Sequence, residues 1–199
     1  MSKDLMEALI GRRSIYEISK ESTISDDRIQ EILEQVTLHA PTAFNSQGSR
    51  VILLLGENHD KLWELTLEAL RKVTPQDRME RTEKKIASFQ GGYGTVLFFE
   101  NTQVMESLQD KFPLYSQQVP VWANQSMGML QYAIWVALEA EGLGASLQHY
   151  NPLIDDAVRE LLNIPEDWEL TAQMPFGTAG KIPEAKPHLP IEERVLVFD

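Results

Sequence analysis

Three separated segments of the chain carry side chains suited to binding an anion. They are Arg12-Arg13-Ser14, Asn45-Ser46-Gln47, and a proline-rich stretch with Lys181 and Lys186 to His188. Two guanidinium groups beside a hydroxyl offer several donors to a phosphate, and a lysine from elsewhere can balance its charge. Each segment alone also fits a solvated helix end or a soluble tail, so the indication comes from their combination.

The overall composition makes these basic segments informative. The chain has 199 residues and a formal net charge of -12. Nucleic acid and anionic membranes require a basic face, so we expect neither as a partner. Cysteine is absent and the four histidines have no metal-ligand spacing. Disulfides, thiolate ligands and a cysteine nucleophile are therefore excluded, and we expect no metal site.

A long apolar segment over residues 121 to 140 dominates the hydrophobic pattern. Glu139 is its only charged residue, and its apolar side chains predict a helix that is covered on more than one face. One interpretation is an ordinary core helix. The other is a helix at the centre of an obligate homodimer, with Met127 and Gln131 on the side that faces the partner.

Helix and strand patterns alternate along the chain. Gly142 and Gly144 can end the long helix. Strands are predicted over residues 51 to 55, 95 to 100, 145 to 150, 168 to 174 and 194 to 198. No internal repeat or linker divides the sequence, so we expect residues 1–199 to form one domain. Its fold class is expected to be α+β or α/β, with helices around a mixed sheet.

The glycine-rich stretch from Gly91 to Gly94 lies before a predicted strand. Phosphate-binding glycine loops follow a strand and lead into a helix, so a Rossmann or P-loop interpretation is excluded. Charges at Lys3, Asp4 and Glu7 interrupt the apolar region that a signal peptide would need. The longest apolar run is far shorter than the roughly 20 residues of a membrane helix. We expect a soluble, cytoplasmic protein.

Four motifs occur in a definite order along the sequence. They are Arg12-Arg13-Ser14, the segment APTAFNSQ at residues 40 to 47, Glu141-Gly142-Leu143-Gly144, and KPHLP at residues 186 to 190. In this order they resemble the Arg-x-Ser phosphate motif, the Pro-Ser-x-x-Asn-x-Gln flavin loop, the Gly-Leu-Gly turn after the dimer helix, and the Lys-x-Arg-x-Pro segment of the FMN-dependent nitroreductase family. The resemblance covers essentially the whole chain.

This resemblance implies an α+β, nitroreductase-like fold with a mixed, mainly antiparallel central sheet flanked by helices. It also implies a homodimer that binds FMN at the subunit boundary. NADH or NADPH would reduce the flavin and leave, and a small nitroaromatic or quinone-type acceptor would then be reduced, by ping-pong hydride transfer. Because the flavin carries the hydride chemistry, no catalytic side chain is expected.

The cofactor-binding residues that the resemblance implies come from these motifs and from a segment expected to pass one edge of the flavin ring. They are Arg12, Arg13, Ser14, Pro41, Thr42, Asn45, Gln47, Leu147, Gln148, His149, Lys186 and His188. Two positions depart from the family pattern, because Tyr16 stands where a basic residue is common and His188 stands where arginine is usual. Phosphate binding is therefore assigned to Arg12, Ser14 and Lys186.

Three aromatic side chains lie in or beside the loop bounded by Pro113 and Pro120, namely Phe112, Tyr115 and Trp122. They fit either the lining of a pocket or ordinary packing. Variable loops such as residues 101 to 120 commonly shape substrate pockets. Both interpretations remain open from the sequence.

Two other functions also remain open. One is a flavin-binding regulatory or stress-response protein with little turnover, since Tyr16 replaces a basic contact. The other is a homodimeric interaction protein without a cofactor. Flavin released on denaturation would exclude the interaction protein. Oxidation of NAD(P)H that requires an added quinone or nitro compound would separate an enzyme from a regulatory protein.

Overall fold

The computed structural model describes residues 2–198 and contains seven α-helices and five strands in that range. In chain order they are α1 (Leu5–Gly11), β1 (Ile18–Ser19), α2 (Asp26–His39), β2 (Ser49–Leu55), α3 (Gly56–Arg71), α4 (Gln76–Gln90), β3 (Gly94–Asn101), α5 (Thr102–Lys111), α6 (Val119–Ala140), β4 (Leu143–Ala145), α7 (Asp155–Leu162) and β5 (Trp168–Ala179). Short 3-10 turns lie at Ala43–Asn45, Pro113–Tyr115 and Ile191–Glu193.

The strands form one sheet in the order β1-β5-β3-β2, with β4 also paired to β5. All pairs between these strands are antiparallel. An isolated parallel bridge joins Ser14 to Ala145. The prediction of an α+β fold with a mixed, mainly antiparallel sheet flanked by helices is confirmed.

Alternating side chains of β3 explain why helices cover both faces of the sheet. Val96 and Phe98 pack in one core with α2 and α6, whereas Leu97 and Phe99 pack in a second core with α3, α4 and α7. Successive strand residues point to opposite faces, and all four are buried. Burial of each such side chain contributes about 1.5–3 kcal/mol before the entropy of ordering is counted.

The long apolar segment forms α6, as predicted. Leu130, Ile134 and Leu138 pack in the core that α6 shares with α2 and the sheet. Val121 and Met129 remain exposed, so part of this apolar helix is uncovered in a single chain. Within residues 2–198, no helix combines the length and the apolarity needed to cross a membrane.

The prediction that Met127 and Gln131 face a partner subunit is wrong. Their exposed fractions are only 3% and 9%, because their own chain covers them. Met127 lies three residues before Leu130 and seven before Ile134, a spacing that places all three on one helix face. A partner would have to contact the exposed side of α6 instead.

The strand predicted over residues 145 to 150 has different bounds in the structure. Gly142 has φ +84°, which ends α6 sharply, and the chain enters the sheet at once as β4. Beyond Ala145, the Ser146 N–H donates to the Pro175 carbonyl of β5 at 3.2 Å, and Gln148 exchanges two main-chain hydrogen bonds with Gln173 as an isolated bridge. Because the chain enters the sheet directly after α6, the strand begins at Leu143 and ends at Ala145.

The strand predicted over residues 194 to 198 is absent from the part of the chain that the structure describes. Val195 to Phe198 have exposed fractions between 59% and 89%. A strand needs a hydrogen-bonded neighbour, and these residues pair with no strand of their own sheet. This apolar segment is left uncovered in a single chain.

Candidate functional site

The loop between α2 and β2 has an unusual backbone. Phe44, Asn45 and Gln47 have φ angles of 55°, 54° and 53°. Residues with a Cβ seldom adopt this left-handed region, and each instance costs roughly 1–3 kcal/mol. Contacts with the surrounding structure must therefore hold the loop.

Hydrogen bonds at the end of the loop supply part of that support. The Gln47 N–H donates to Thr42 Oγ1 at 3.0 Å. Arg50 Nη1 donates to the Gln47 carbonyl at 2.7 Å, and the Arg50 guanidinium lies 5.7 Å from the centre of the Trp168 ring. The side chains of Asn45 and Gln47 are exposed. Gln47 Nε2 donates to the Asn45 carbonyl at 3.4 Å, so the Asn45 amide and the Gln47 amide oxygen can contact a ligand from a fixed backbone.

Aromatic packing supplies the rest of the support. The Phe44 ring stacks on Phe112, with 4.4 Å between ring centres and 18° between planes. Trp122 and Tyr115 contact the same ring at 5.8 Å and 6.4 Å. Of the three aromatic residues that the sequence suggested for a pocket, Trp122 lines a cavity, whereas Phe112 and Tyr115 pack on Phe44. Stacking anchors the loop to the segment before α6.

A cavity of about 710 Å³ opens beside this loop, between α2, β2 and α6. Thr42, Asn45 and Gln47 of the loop and Ser126 of α6 are among its lining residues. Thr37 also lines it, and the Thr37 hydroxyl is buried without a hydrogen-bond partner. Cavities of roughly 300–1,000 Å³ hold small organic ligands, so this one is large enough for part of a cofactor or an aromatic substrate.

Arg12, the first of the residues assigned to phosphate binding, lies elsewhere, where α1 ends beside α6. The Arg12 guanidinium carbon lies 4.3 Å from the centre of the Trp135 ring and 5.9 Å from that of Tyr132. Arg12 Nε is buried and has no hydrogen-bond partner. Buried donors are rarely left unpaired. Arg12 therefore offers an oriented, unpaired donor that suits the anionic phosphate of a flavin nucleotide.

Ser14 and the residues after β4 lie next to Arg12 in the fold. Ser14 bridges Ala145, and the chain then passes through Leu147, Gln148 and His149. Gln148 is buried, and its Nε2 donates to the Ser146 hydroxyl at 3.0 Å, whereas His149 is exposed and Leu147 is half-buried. The bridge therefore brings this part of the predicted site together.

Lys186 and His188 lie in an extended segment of the C-terminal region. Arg13 Nη2 donates to the Glu184 carbonyl at 2.8 Å. This hydrogen bond holds the segment beside the residue that follows Arg12. Lys186 and His188 themselves remain exposed. Neither Lys186 nor His188 is buried at the site in a single chain.

The predicted site residues form two groups along α6. The loop group comprises Pro41, Thr42, Asn45 and Gln47, and the Arg12 group comprises residues 12 to 14 and 147 to 149. The loop group adjoins Trp122 and Met129. The Arg12 group adjoins Trp135, which at about 1.5 Å per residue lies roughly 20 Å along the helix axis from Trp122 and about 9 Å from Met129. The three cavities beside the loop have no residue of the Arg12 group in their lining.

Two residues near the loop could not be recognised in the sequence. Phe44 is identified only by the structure, through its positive φ angle and its stacking on Phe112. Glu100 lies behind Gly48, where a Cβ would overlap its carboxylate oxygen. Burial raises the pKa of Glu100 to about 7, and Glu169 adds to the rise, while the Ser49 hydrogen bond and Arg50 oppose it. A carboxyl with a pKa near neutrality therefore lies against Gly48, at the end of the loop.

Comparisons with known proteins agree with this architecture. A model of the Nitroreductase family matches residues 9–178. The protein HBN1 from Saccharomyces cerevisiae is 37% identical over 188 residues, which cover 92% of each chain. Nitroreductase CinD from Lactococcus lactis has been solved with chloramphenicol, 4-nitrophenol and nicotinic acid. The chloramphenicol complex aligns with a TM-score of 0.89 at 36% identity, over 98% of this chain and all of CinD.

A more distant structure shares the fold alone. The FMN-dependent nitroreductase NfnB from Mycobacterium smegmatis, in complex with NADPH, aligns with a TM-score of 0.71 at 16% identity. The alignment covers 98% of this chain and 97% of NfnB. Among residues 2–198, no cluster of three or more His, Asp or Glu side chains could hold a metal ion. The family model spans most of the sequence and HBN1 aligns over nearly all of it, so the chain belongs to the Nitroreductase family.

Proposed function

We propose that this oxidoreductase binds FMN, oxidises NADH or NADPH, and reduces small nitroaromatic or quinone-type acceptors. Membership of the Nitroreductase family already makes it a nitroreductase-type enzyme. The complex of CinD with 4-nitrophenol supports the acceptor class, and the FMN dependence and NADPH complex of NfnB support the cofactor and reductant. The observation that carries the proposal is Arg12, with its buried, unpaired Nε and its fixed position on Trp135.

Arg12, Ser14 and Lys186 would hold the FMN phosphate. Charge-assisted hydrogen bonds to phosphate are about twice as strong as neutral ones. Stacking of Arg12 on Trp135 limits the guanidinium to a narrow range of orientations. Lys186 lies two residues after Glu184, whose carbonyl accepts from Arg13, and in the proposed complex its ammonium pairs with the same phosphate.

Asn45, Gln47 and Gln148 would orient the flavin ring. The first two extend from a loop whose backbone is held by Thr42 and Arg50, and Gln148 is fixed by Ser146. Amides held in this way position a ring without reorganising during the reaction. FMN, when bound, would supply hydride acceptance and donation.

The proposed active form is a homodimer in which each flavin contacts both subunits. The separation of the loop group from the Arg12 group supports this arrangement, because a second copy can place its loop beside Arg12. Apolar residues left exposed on α1 and in the C-terminal segment also support it, among them Leu5, Ile10, Leu196 and Phe198. Large uncovered apolar surfaces usually mark an interface.

Purification under native conditions followed by denaturation tests the proposal. We expect the released flavin to be FMN, and the native protein to oxidise NADH or NADPH only when menadione or a nitro compound is added. Protein that neither contains FMN nor takes it up would support the interaction protein instead. Bound FMN without acceptor-dependent oxidation would support the regulatory protein. Either result overturns the proposed reaction.

A further inference from the structure

Phe44 forms the wall between two cavities at the outer side of the loop. One cavity, of about 410 Å³, is lined by Thr42 and Trp122 among others. The other, of about 400 Å³, is lined by Ser46 and Lys111 among others. Phe44 belongs to the lining of both. Its position therefore determines whether they form two compartments or one.

The conformation of Phe44 is costly but firmly held. Its backbone angles are φ 55° and ψ 22°, which a bulky residue adopts only under constraint, and asparagine or glycine would adopt more easily. Phe112, Tyr115 and Trp122 hold the ring from a separate segment of the chain. A strained residue that its surroundings hold in place is a candidate for a functional role.

The two compartments differ in chemistry. The compartment at Trp122 is lined mainly by apolar groups, including Pro41 and Met129. The compartment at Lys111 mixes hydroxyl and amide side chains with the apolar Val104 and Leu108, and Lys111 is the one cation in its lining. Lys111 Nζ lies 5.5 Å from the centre of the Phe112 ring, on which Phe44 stacks. A positive charge therefore lies close to the dividing wall.

We propose that Phe44 determines acceptor length. The ring confines an aromatic acceptor to the Trp122 compartment, and it closes a subsite at Lys111 that fits a second aryl ring carrying an anionic group. This inference rests on the proposed reduction of nitro compounds. It adds a specificity-determining residue and a subsite with a defined ligand chemistry.

Two nitro compounds of different length test the role of Phe44. These are 4-nitrobenzoate and 4'-nitrobiphenyl-4-carboxylate, which share the nitro and carboxylate groups and differ by one phenyl ring. The ratio of kcat/KM for the long compound to that for the short one should rise about tenfold or more in Phe44→Ala, since filling or blocking an apolar pocket changes selectivity by roughly 10–200-fold. Phe44→Tyr, which keeps the ring, should retain the wild-type ratio.

The role of Lys111 is tested in the Phe44→Ala background. Adding Lys111→Gln should lower kcat/KM for the biphenyl carboxylate about two- to fivefold, as expected for one solvent-exposed ion pair. The methyl ester of the same compound has no charge to pair and should be unaffected. An equal effect on acid and ester would overturn the assignment of an anionic subsite.

A binding measurement separates this inference from the proposed reaction. Biphenyl-4-carboxylate has no nitro group, and its binding to the holoprotein can be followed by quenching of tryptophan fluorescence. We expect tighter binding to Phe44→Ala than to wild type, even if neither protein reduces a nitro compound. Unchanged affinity and an unchanged kcat/KM ratio, in proteins of equal FMN content, would refute the role of Phe44. If Phe44→Ala does not fold, Phe44→Gly tests the same wall, because glycine tolerates φ 55°.

Discussion

At the scale of single residues, the proposed phosphate site depends on Arg12. Arg12→Ala should weaken FMN binding about tenfold or more, because a hydrogen bond to a charged group contributes roughly 1.5–3 kcal/mol. Lys186→Ala should act in the same direction. Titration of the apoprotein with FMN measures both effects, and Lys181→Ala provides a matched control in the same exposed segment. Full FMN occupancy and unchanged affinity in both Arg12→Ala and Lys186→Ala would refute the phosphate assignment.

Glu100 makes a pH-dependent contribution to stability. Its pKa is raised from 4.5 to about 7, so the folded protein favours the protonated carboxyl. Stability from this group is complete below the unfolded pKa and is lost as the pH rises through about 7. The free energy of unfolding of Glu100→Gln should therefore match that of wild type at about pH 4 and exceed it at about pH 8.

Urea unfolding at the two pH values measures this difference for Glu100→Gln. Glu106→Gln, which removes an exposed carboxylate on α5, is the matched control for the change in net charge. A Glu100→Gln advantage that stays constant with pH would show that the carboxyl does not titrate in this range.

Residue type and order sufficed to identify Arg12, Ser14, Asn45 and Lys186 as candidates, because those side chains carry their donors wherever the chain places them. Phe44 and Glu100 differ in this respect. The importance of Phe44 lies in a positive φ angle, and that of Glu100 in burial behind Gly48. Neither property is encoded in the residue itself, so the sequence offered no signal for them.

At the scale of elements, the loop at residues 42 to 47 combines cofactor orientation with backbone strain. Asn45 has φ 54°, which asparagine tolerates and alanine does not. Asn45→Ala should lower turnover more than stability, yet it also adds strain of roughly 1–2 kcal/mol. Asn45→Gly removes the amide without that strain and should lose turnover while keeping its melting temperature. Full activity with menadione in Asn45→Gly would show that Asn45 is only structural.

A buried hydrogen-bond chain joins α3 to β3. Trp63 Nε1 donates to Thr95 Oγ1 at 3.0 Å, and His59 contacts Thr95 Oγ1 through Nδ1 at 2.9 Å and the Gln90 carbonyl through Nε2 at 3.2 Å. A carbonyl only accepts, so Nε2 carries the hydrogen and Nδ1 accepts from Thr95. The neutral imidazole satisfies the whole chain of groups.

Burial lowers the pKa of His59 below 6.5, while the Gln90 hydrogen bond opposes the shift. Because the folded value is depressed, this contribution to stability is complete above the unfolded pKa of about 6.5 and is lost as the pH falls toward the folded value. In an NMR titration of the folded protein, the His59 ring should become protonated with a midpoint below pH 6.5. Titration at or above that value would contradict the assigned tautomer and burial.

The sequence predicted α6 well, because a long apolar helical pattern is local information. Strand bounds were less predictable. Gly142 turns the chain directly into β4, so the strand begins two residues before the predicted position. Residues 194 to 198 have a strand pattern and yet form no ladder with their own sheet, since pairing depends on which edge is available.

At the scale of the whole molecule, apolar side chains remain uncovered on α1 and in the C-terminal segment. Ile10 and Phe198 have exposed fractions of 74% and 89%. In the proposed homodimer, Ile10→Lys or Phe198→Lys would bury an unpaired charge, at a cost of several kcal/mol. We expect monomer or aggregate, together with loss of FMN. Val73→Lys, at an apolar position with 60% exposure between α3 and α4, should remain dimeric.

The central claim is that FMN binds between two copies of the chain, and sedimentation of the apoprotein over a dilution series with and without FMN tests it most directly. A ligand that binds only the dimer stabilises it by mass action. We predict that FMN shifts dimer dissociation to lower protein concentration and sediments with the dimer. A soluble monomer that binds FMN with the same affinity at every dilution would contradict the account.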